Sequence, residues 1–130
     1  VDKRRPRPNV CEAQSVIGDV DGKDCIVVDD ICDTAGSLVA ACDILKRFGA
    51  KDIYVCLAHG VFSGPAIERL ENSCIKEVVC TNSIPLDEEK KAQTTKIKQL
   101  SIGLMLSKLI LAISSHKPVS EIYRLFEDHE

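Results

Sequence analysis

Residues 26–38 read IVVDDICDTAGSL. The first half is a β-branched apolar run closed by Asp29 and Asp30, the pattern of a buried parallel strand emerging at the carboxyl edge of a sheet. The second half, Asp33-Thr34-Ala35-Gly36-Ser37, is small, polar and contains a glycine, and it leads into an amphipathic segment. A strand, a tight loop and a helix start follow one another. The first amides of a helix have no internal acceptor and carry the positive end of the macrodipole, so a turn of this kind can wrap N–H groups around a phosphate. Thr34 and Ser37 add hydroxyl donors, and Gly36 permits close backbone approach. Carboxylates repel a phosphate, so Asp29 and Asp30 must face another part of the ligand, and vicinal hydroxyls are natural donors to them. A phosphorylated sugar meets both demands. In the competing structural reading Asp29 and Asp30 only solvate a strand end and Asp33 caps the helix; the D-T-A-G-S continuation favours the ligand.

Outward from this stretch, Leu38, Ala41, Cys42, Leu45 and Phe48 form a helical stripe that Gly49 terminates. Upstream, Cys11, Ala13, Ser15 and Ile17 alternate in an extended segment, and Val20-Asp21-Gly22-Lys23 offers a hairpin turn before the run Cys25 to Val28. Downstream, Ile53 to Ala58 and Lys76 to Thr81 read as further buried strands, separated by a helix starting near Ser63-Gly64-Pro65. Strand, helix, strand, helix, strand implies right-handed crossovers: an α/β, doubly wound, mainly parallel sheet with helices on both faces. Lys96 to Leu100 reads as a short edge strand and Ile102 to Ser115 as a helix, whose wide apolar surface suits burial on two sides, as against another subunit. Val119 to Glu130 reads as a helical tail. The Asp87 to Lys91 charge run serves solubility.

The composition excludes several classes. At 130 residues the chain makes one domain large enough for a core. Its net charge of -3 leaves no nucleic-acid footprint. The longest apolar stretch, Ile102 to Ile113, is broken by Ser107 and Lys108 and is too short to span a bilayer, so no membrane partner is expected. Seven cysteines without a C-x-x-C pair favour neither a disulfide framework nor a zinc site, and fit a reducing, cytoplasmic compartment. Cys32 stands apart because it lies inside the loop, where a thiol modifier would block binding. His59 follows a strand at the ligand edge but has no carboxylate or cysteine partner in sequence, so it reads as structural. Lys3, Arg4, Arg5 and Arg7 flank Pro6 and Pro8, which forbid a helix, and by themselves read as a solvated arm.

The loop V-V-D-D-I-C-D-T-A-G-S-L resembles the phosphoribosyl pyrophosphate loop of the type I phosphoribosyltransferase-like superfamily. Together with D-K-R-R-P-R-P-N-V at the start, G-D-V-D-G-K-D-C, H-G-V-F-S-G-P-A at 59–66 and T-N-S-I-P at 81–85, it resembles the ribose-phosphate pyrophosphokinase (phosphoribosyl pyrophosphate synthetase) family over nearly the whole chain. The resemblance implies transfer of the terminal diphosphate of ATP to the 1-hydroxyl of ribose 5-phosphate, giving phosphoribosyl pyrophosphate and AMP. Lys3 and Arg5 would then be catalytic, brought in on a mobile loop at residues 1–9, with residues 10–130 forming the carboxyl-terminal domain. Arg5, Asp29, Asp30, Asp33, Thr34, Ala35, Gly36 and Ser37 would bind the sugar phosphate.

Magnesium would arrive with ATP, its ligands mostly outside this chain. Partners implied are ribose 5-phosphate, ATP, a preceding amino-terminal domain with the sheet's leading strands, and further copies in a homo-oligomer. With neither G-x-x-x-x-G-K-[ST] nor G-x-G-x-x-G present, the isolated chain is expected to bind sugar phosphate weakly and to be inactive. Family members often end in a serine-rich regulatory stretch that only Ser120 matches here, so feedback at that site is not expected. The alternatives are a phosphoribosyltransferase, for which no base-binding hood is visible, and a non-catalytic regulatory or associated subunit, which would be expected to lose the loop or the cations.

Overall fold

The computed structural model describes residues 2–7 and 10–120, with side chains from residue 16 onward. Two compact units divide the chain, Val1–Leu100 and Ser101–Glu130. The first holds the strands β1 (Asp2–Arg7), β2 (Val10–Ser15), β3 (Cys25–Cys32), β4 (Ile53–Gly60), β5 (Glu77–Thr81) and β6 (Ile97–Leu100). Its helices are α1 (Gly36–Arg47), α2 (Ala66–Glu71) and α3 (Glu88–Ala92). The second unit carries α4 (Gly103–Ser114), whose Leu104, Ile110, Leu111 and Ile113 are exposed. The sequence predicts a helical tail from 119 to 130, most of which lies outside the described residues.

β3, β4, β5 and β6 form a four-stranded parallel sheet in that order, the centre of an α/β fold. In-register pairing aligns Val27, Val55, Val78 and Ile97 as one apolar rung across all four strands. Val55 and Val78 are fully buried, under Leu38, Cys42 and Leu45 of α1 and Ile67 and Leu70 of α2. This is the face the helices cover. The next rung, Val28, Cys56, Val79 and Lys98, turns the other way, as a period of two requires. Val28 is 77% exposed and Ile26 68%, so the run 25–28 is buried on one side only and the expectation of a buried strand is corrected. Among the described side chains of residues 16–100, none buries Ile26 or Val28 on this side.

Two further expectations are corrected. The extended segment 10–15 pairs antiparallel with β1 in a separate two-stranded sheet, not with β3. The turn at 20–23 forms, with Lys23 N–H donating to the Val20 carbonyl at 3.1 Å. It delivers the chain to β3 without a hairpin. On α1, Phe48 is the C-cap and half exposed while Ile44 is buried, so the stripe ends one turn earlier. Gly49 takes a positive φ of 95°, and a Cβ there would lie 2.1 Å from Asp21 Oδ1, so only glycine fits both the helix stop and the neighbouring turn. Asp87 does more than solubilise: its carboxylate accepts from Lys90 N–H at 2.7 Å and caps α3.

Short polar contacts fix both edges of the sheet. Gln99 on β6 accepts from Leu86 N–H at 3.0 Å and donates to the Ile84 carbonyl at 2.9 Å, which fixes the loop after β5. Glu71 at the end of α2 accepts from Thr94 Oγ1, Thr95 N–H and Lys96 N–H at 2.5, 2.9 and 3.1 Å, locking the entry to β6. Burial pushes the Glu71 carboxyl up, but these donors more than offset it and hold its pKa below the ordinary 4.5.

Candidate functional site

β3 ends at Cys32 and α1 begins at Gly36, so residues 33–35 make the whole turn. Its inner wall is apolar: Cys32 and Ala35 are buried, while Asp33, Thr34, Gly36 and Ser37 are exposed. Asp33 does not cap α1. The N-cap is Ala35, with φ 61° and no side-chain cap, and the first turn carries no acidic residue. Gly36, Ser37 and Leu38 therefore open a twelve-residue helix with N–H groups that no cap satisfies, the electrostatic condition for binding an anion. The structural reading of Asp33 as a cap is thereby overturned.

Asp33 is instead held by the segment after β4. Ser63 Oγ donates to its carboxylate, and Ser63 N–H donates to its carbonyl at 3.0 Å. Val61 and Phe62 N–H donate to the Cys32 carbonyl at 3.0 and 3.2 Å. The buried ring of Phe62 pins that segment: a Cβ on Gly60 would lie 2.2 Å from Phe62 Cε2, so the ring occupies the space glycine leaves. The H-G-V-F-S-G-P-A stretch thus props the loop from behind. Its role could have been suspected from Gly60 and Ser63, but the Ser63 contact with Asp33 crosses thirty residues of sequence.

Strand alternation places Asp29 on the rung of Leu57, Cys80 and Gln99, the helix side, and Asp30 on the opposite side. Both are exposed, and Asp29 Oδ1 accepts from Asp30 N–H at 2.9 Å. Lys3 and Arg5 lie on β1, with side chains outside the described set. Prolines exclude a helix there but accept extended backbone. His59, beside Ile31 on β4, has its partner in space: Nδ1 lies 2.8 Å from Ser83 Oγ. Ser83 Oγ in turn accepts from Thr81 Oγ1 at 2.9 Å, so T-N-S-I-P meets H-G-V-F-S-G-P-A at the same sheet edge.

Burial pushes the Cys32 thiol up to about 11, so it is protonated, and at 3% exposure it is shielded from modifiers. All six described cysteines are free thiols. Among the described residues no group of three or more His, Cys, Asp or Glu could hold a metal ion, and no helix is long and apolar enough to cross a membrane. The chain's own described residues thus supply no complete metal site.

Fold and loop together define an α/β protein with an uncapped helix start at the carboxyl edge of a parallel sheet. Residues 4–124 match the family model of the phosphoribosyl synthetase-associated domain, and the chain belongs to that family. It is 49% identical over 123 residues to a ribose-phosphate pyrophosphokinase of Bacillus subtilis (strain 168), and 52% identical over 124 residues to one of Clostridium acetobutylicum. Each match covers 95% of this chain and 38% of the relative, so the chain spans well under half the length of these enzymes. The crystal structure of phosphoribosylpyrophosphate synthetase from Mycobacterium smegmatis superposes with a TM-score of 0.74 at 39% identity, covering 77% of this chain and 33% of that one.

Proposed function

We propose that this chain is the ribose 5-phosphate-binding, carboxyl-terminal portion of a ribose-phosphate diphosphokinase. The observation that carries the reading is the uncapped start of α1 behind Asp33-Thr34-Ala35-Gly36-Ser37, at the carboxyl edge of the sheet and beside two exposed carboxylates. In this reading residues 33–37 hold the 5-phosphate through the first amides of α1 and the Thr34 and Ser37 hydroxyls. Asp29 and Asp30 accept from the ring hydroxyls, which orients the 1-hydroxyl for attack on the diphosphate. Residues 1–9 are the catalytic-loop segment, where Lys3 and Arg5 stabilise the charge that builds on the migrating group, and Arg5 also touches the sugar phosphate. ATP comes with magnesium, whose ligands lie mostly outside this chain; the ion supplies neutralisation of phosphate charge. Residues 10–130 form the carboxyl-terminal domain of a cytoplasmic homo-oligomer whose amino-terminal part contributes the nucleotide contacts.

Calorimetric titration of the chain with ribose 5-phosphate tests this. Binding is expected for the wild type and lost in an Asp29→Asn, Asp33→Asn double variant. A folded wild-type chain that shows no binding, or a double variant that binds as well, would overturn the assignment. No AMP formation is expected from the chain alone with ATP and magnesium.

A further inference from the structure

Ala35 is a non-glycine residue in the left-handed region, at φ 61°. That conformation is costly for an L side chain and persists only where the surroundings over-determine it. Here the preceding peptide is held by its carbonyl. Arg69 Nη1 donates to the Thr34 carbonyl at 2.9 Å. Because the peptide is planar and trans, the Ala35 N–H must point the opposite way. The Ala35 carbonyl then accepts the first helical bond, from Val39 N–H at 2.9 Å. A peptide flipped at 34–35 would turn its carbonyl toward the interior and disorder the first amides of α1.

Arg69 is thirty-five residues from Thr34 in sequence and sits on the exposed side of α2. None of the described ion pairs involves it, although Asp43 and Glu68 line the same open groove between α1 and α2. Its guanidinium is committed to the loop: a Cβ on Gly36 would lie 3.3 Å from the same Nη1.

We propose that Arg69 is a positioning residue of the sugar-phosphate site, clamping the Thr34–Ala35 peptide so that the first amides of α1 stay open to the anion. The proposal deepens the function proposed above and rests on it for the identity of the ligand. It acts through the Thr34 carbonyl, so it depends on a donor at position 69 and not on bulk.

The test compares Arg69→Lys with Arg69→Met in the 130-residue chain by two readouts. Residue 69 is exposed, so both variants should fold, as circular dichroism and exchange of the β4 and β5 amides will report. In amide hydrogen exchange, Arg69→Met is expected to speed exchange at Val39, whose N–H donates to the Ala35 carbonyl, with β4 and β5 unchanged, and Arg69→Lys to restore part of the protection. Wild-type exchange in Arg69→Met, or equal behaviour of the two variants, would overturn the clamp. In titration with ribose 5-phosphate, Arg69→Met should bind about tenfold more weakly and Arg69→Lys by less, the scale of one charge-assisted hydrogen bond. Equal affinities in Met and Lys variants would again overturn it. A wild type that does not bind ribose 5-phosphate sinks the proposed ligand, while the exchange readout still decides the role of Arg69.

Discussion

The two faces of the β3–β6 sheet are built from similar residues and have opposite fates. On one face Val27, Val55 and Val78 lie in register beneath α1 and α2, and the latter two are entirely buried. On the other, Ile26 and Val28 of β3 are more exposed than covered. The difference teaches that apolar character sets what a strand can bury, while the crossover helices decide which side of it is buried. The covered side also organises the β3–α1 loop: the same helix layer that fills the core brings Arg69 and the β4–α2 segment to it.

The largest effect that would sharpen this contrast is expected at Phe62. It is 1% exposed and fills the space above Gly60, so Phe62→Ala should cost about 3–5 kcal/mol, read as a fall in the denaturation midpoint. A loss close to zero would mean that the covered face does not depend on this plug.

A middle-sized effect is expected at Glu71, which ties α2 to the start of β6. Its folded pKa lies below the ordinary 4.5. The deprotonated form is therefore favoured by folding, and the stability it contributes is full above pH 4.5 and lost as pH falls through the lower folded value. Glu71→Gln should destabilise the chain at neutral pH, with a difference from wild type that shrinks on acidification. A pH-independent difference would show that the carboxylate charge is not what matters.

The smallest effect belongs to the open face. An Ile26→Ser, Val28→Ser pair should change the stability of this chain by no more than about 0.5 kcal/mol per site, the range for surface positions. Denaturant titration will show it. A loss on the scale of Phe62→Ala would break the comparison and reveal that this face is covered in solution.

Much of this was legible in the residues themselves. Short apolar runs and helical spacings located β3 to β6, α1 and the start of α4, and D-T-A-G-S marked the turn from β3 into α1, because local geometry acts within a few residues of chain. The side of β3 left open was not legible, since an apolar run looks the same whether one face is buried or two. Nor was the fate of Asp33, which could have capped α1 and instead binds Ser63.

The sequence by itself determined the class of fold and the place of the loop between β3 and α1, for these depend on composition and near-neighbour spacing. Only the tertiary structure decided that Ala35 is the strained N-cap, that Ser63 and Arg69 hold the loop, and that His59 meets Ser83. Those contacts join residues twenty-four to thirty-five positions apart. Parallel crossovers bring such residues to one edge of a sheet, and no local pattern records which of them will touch.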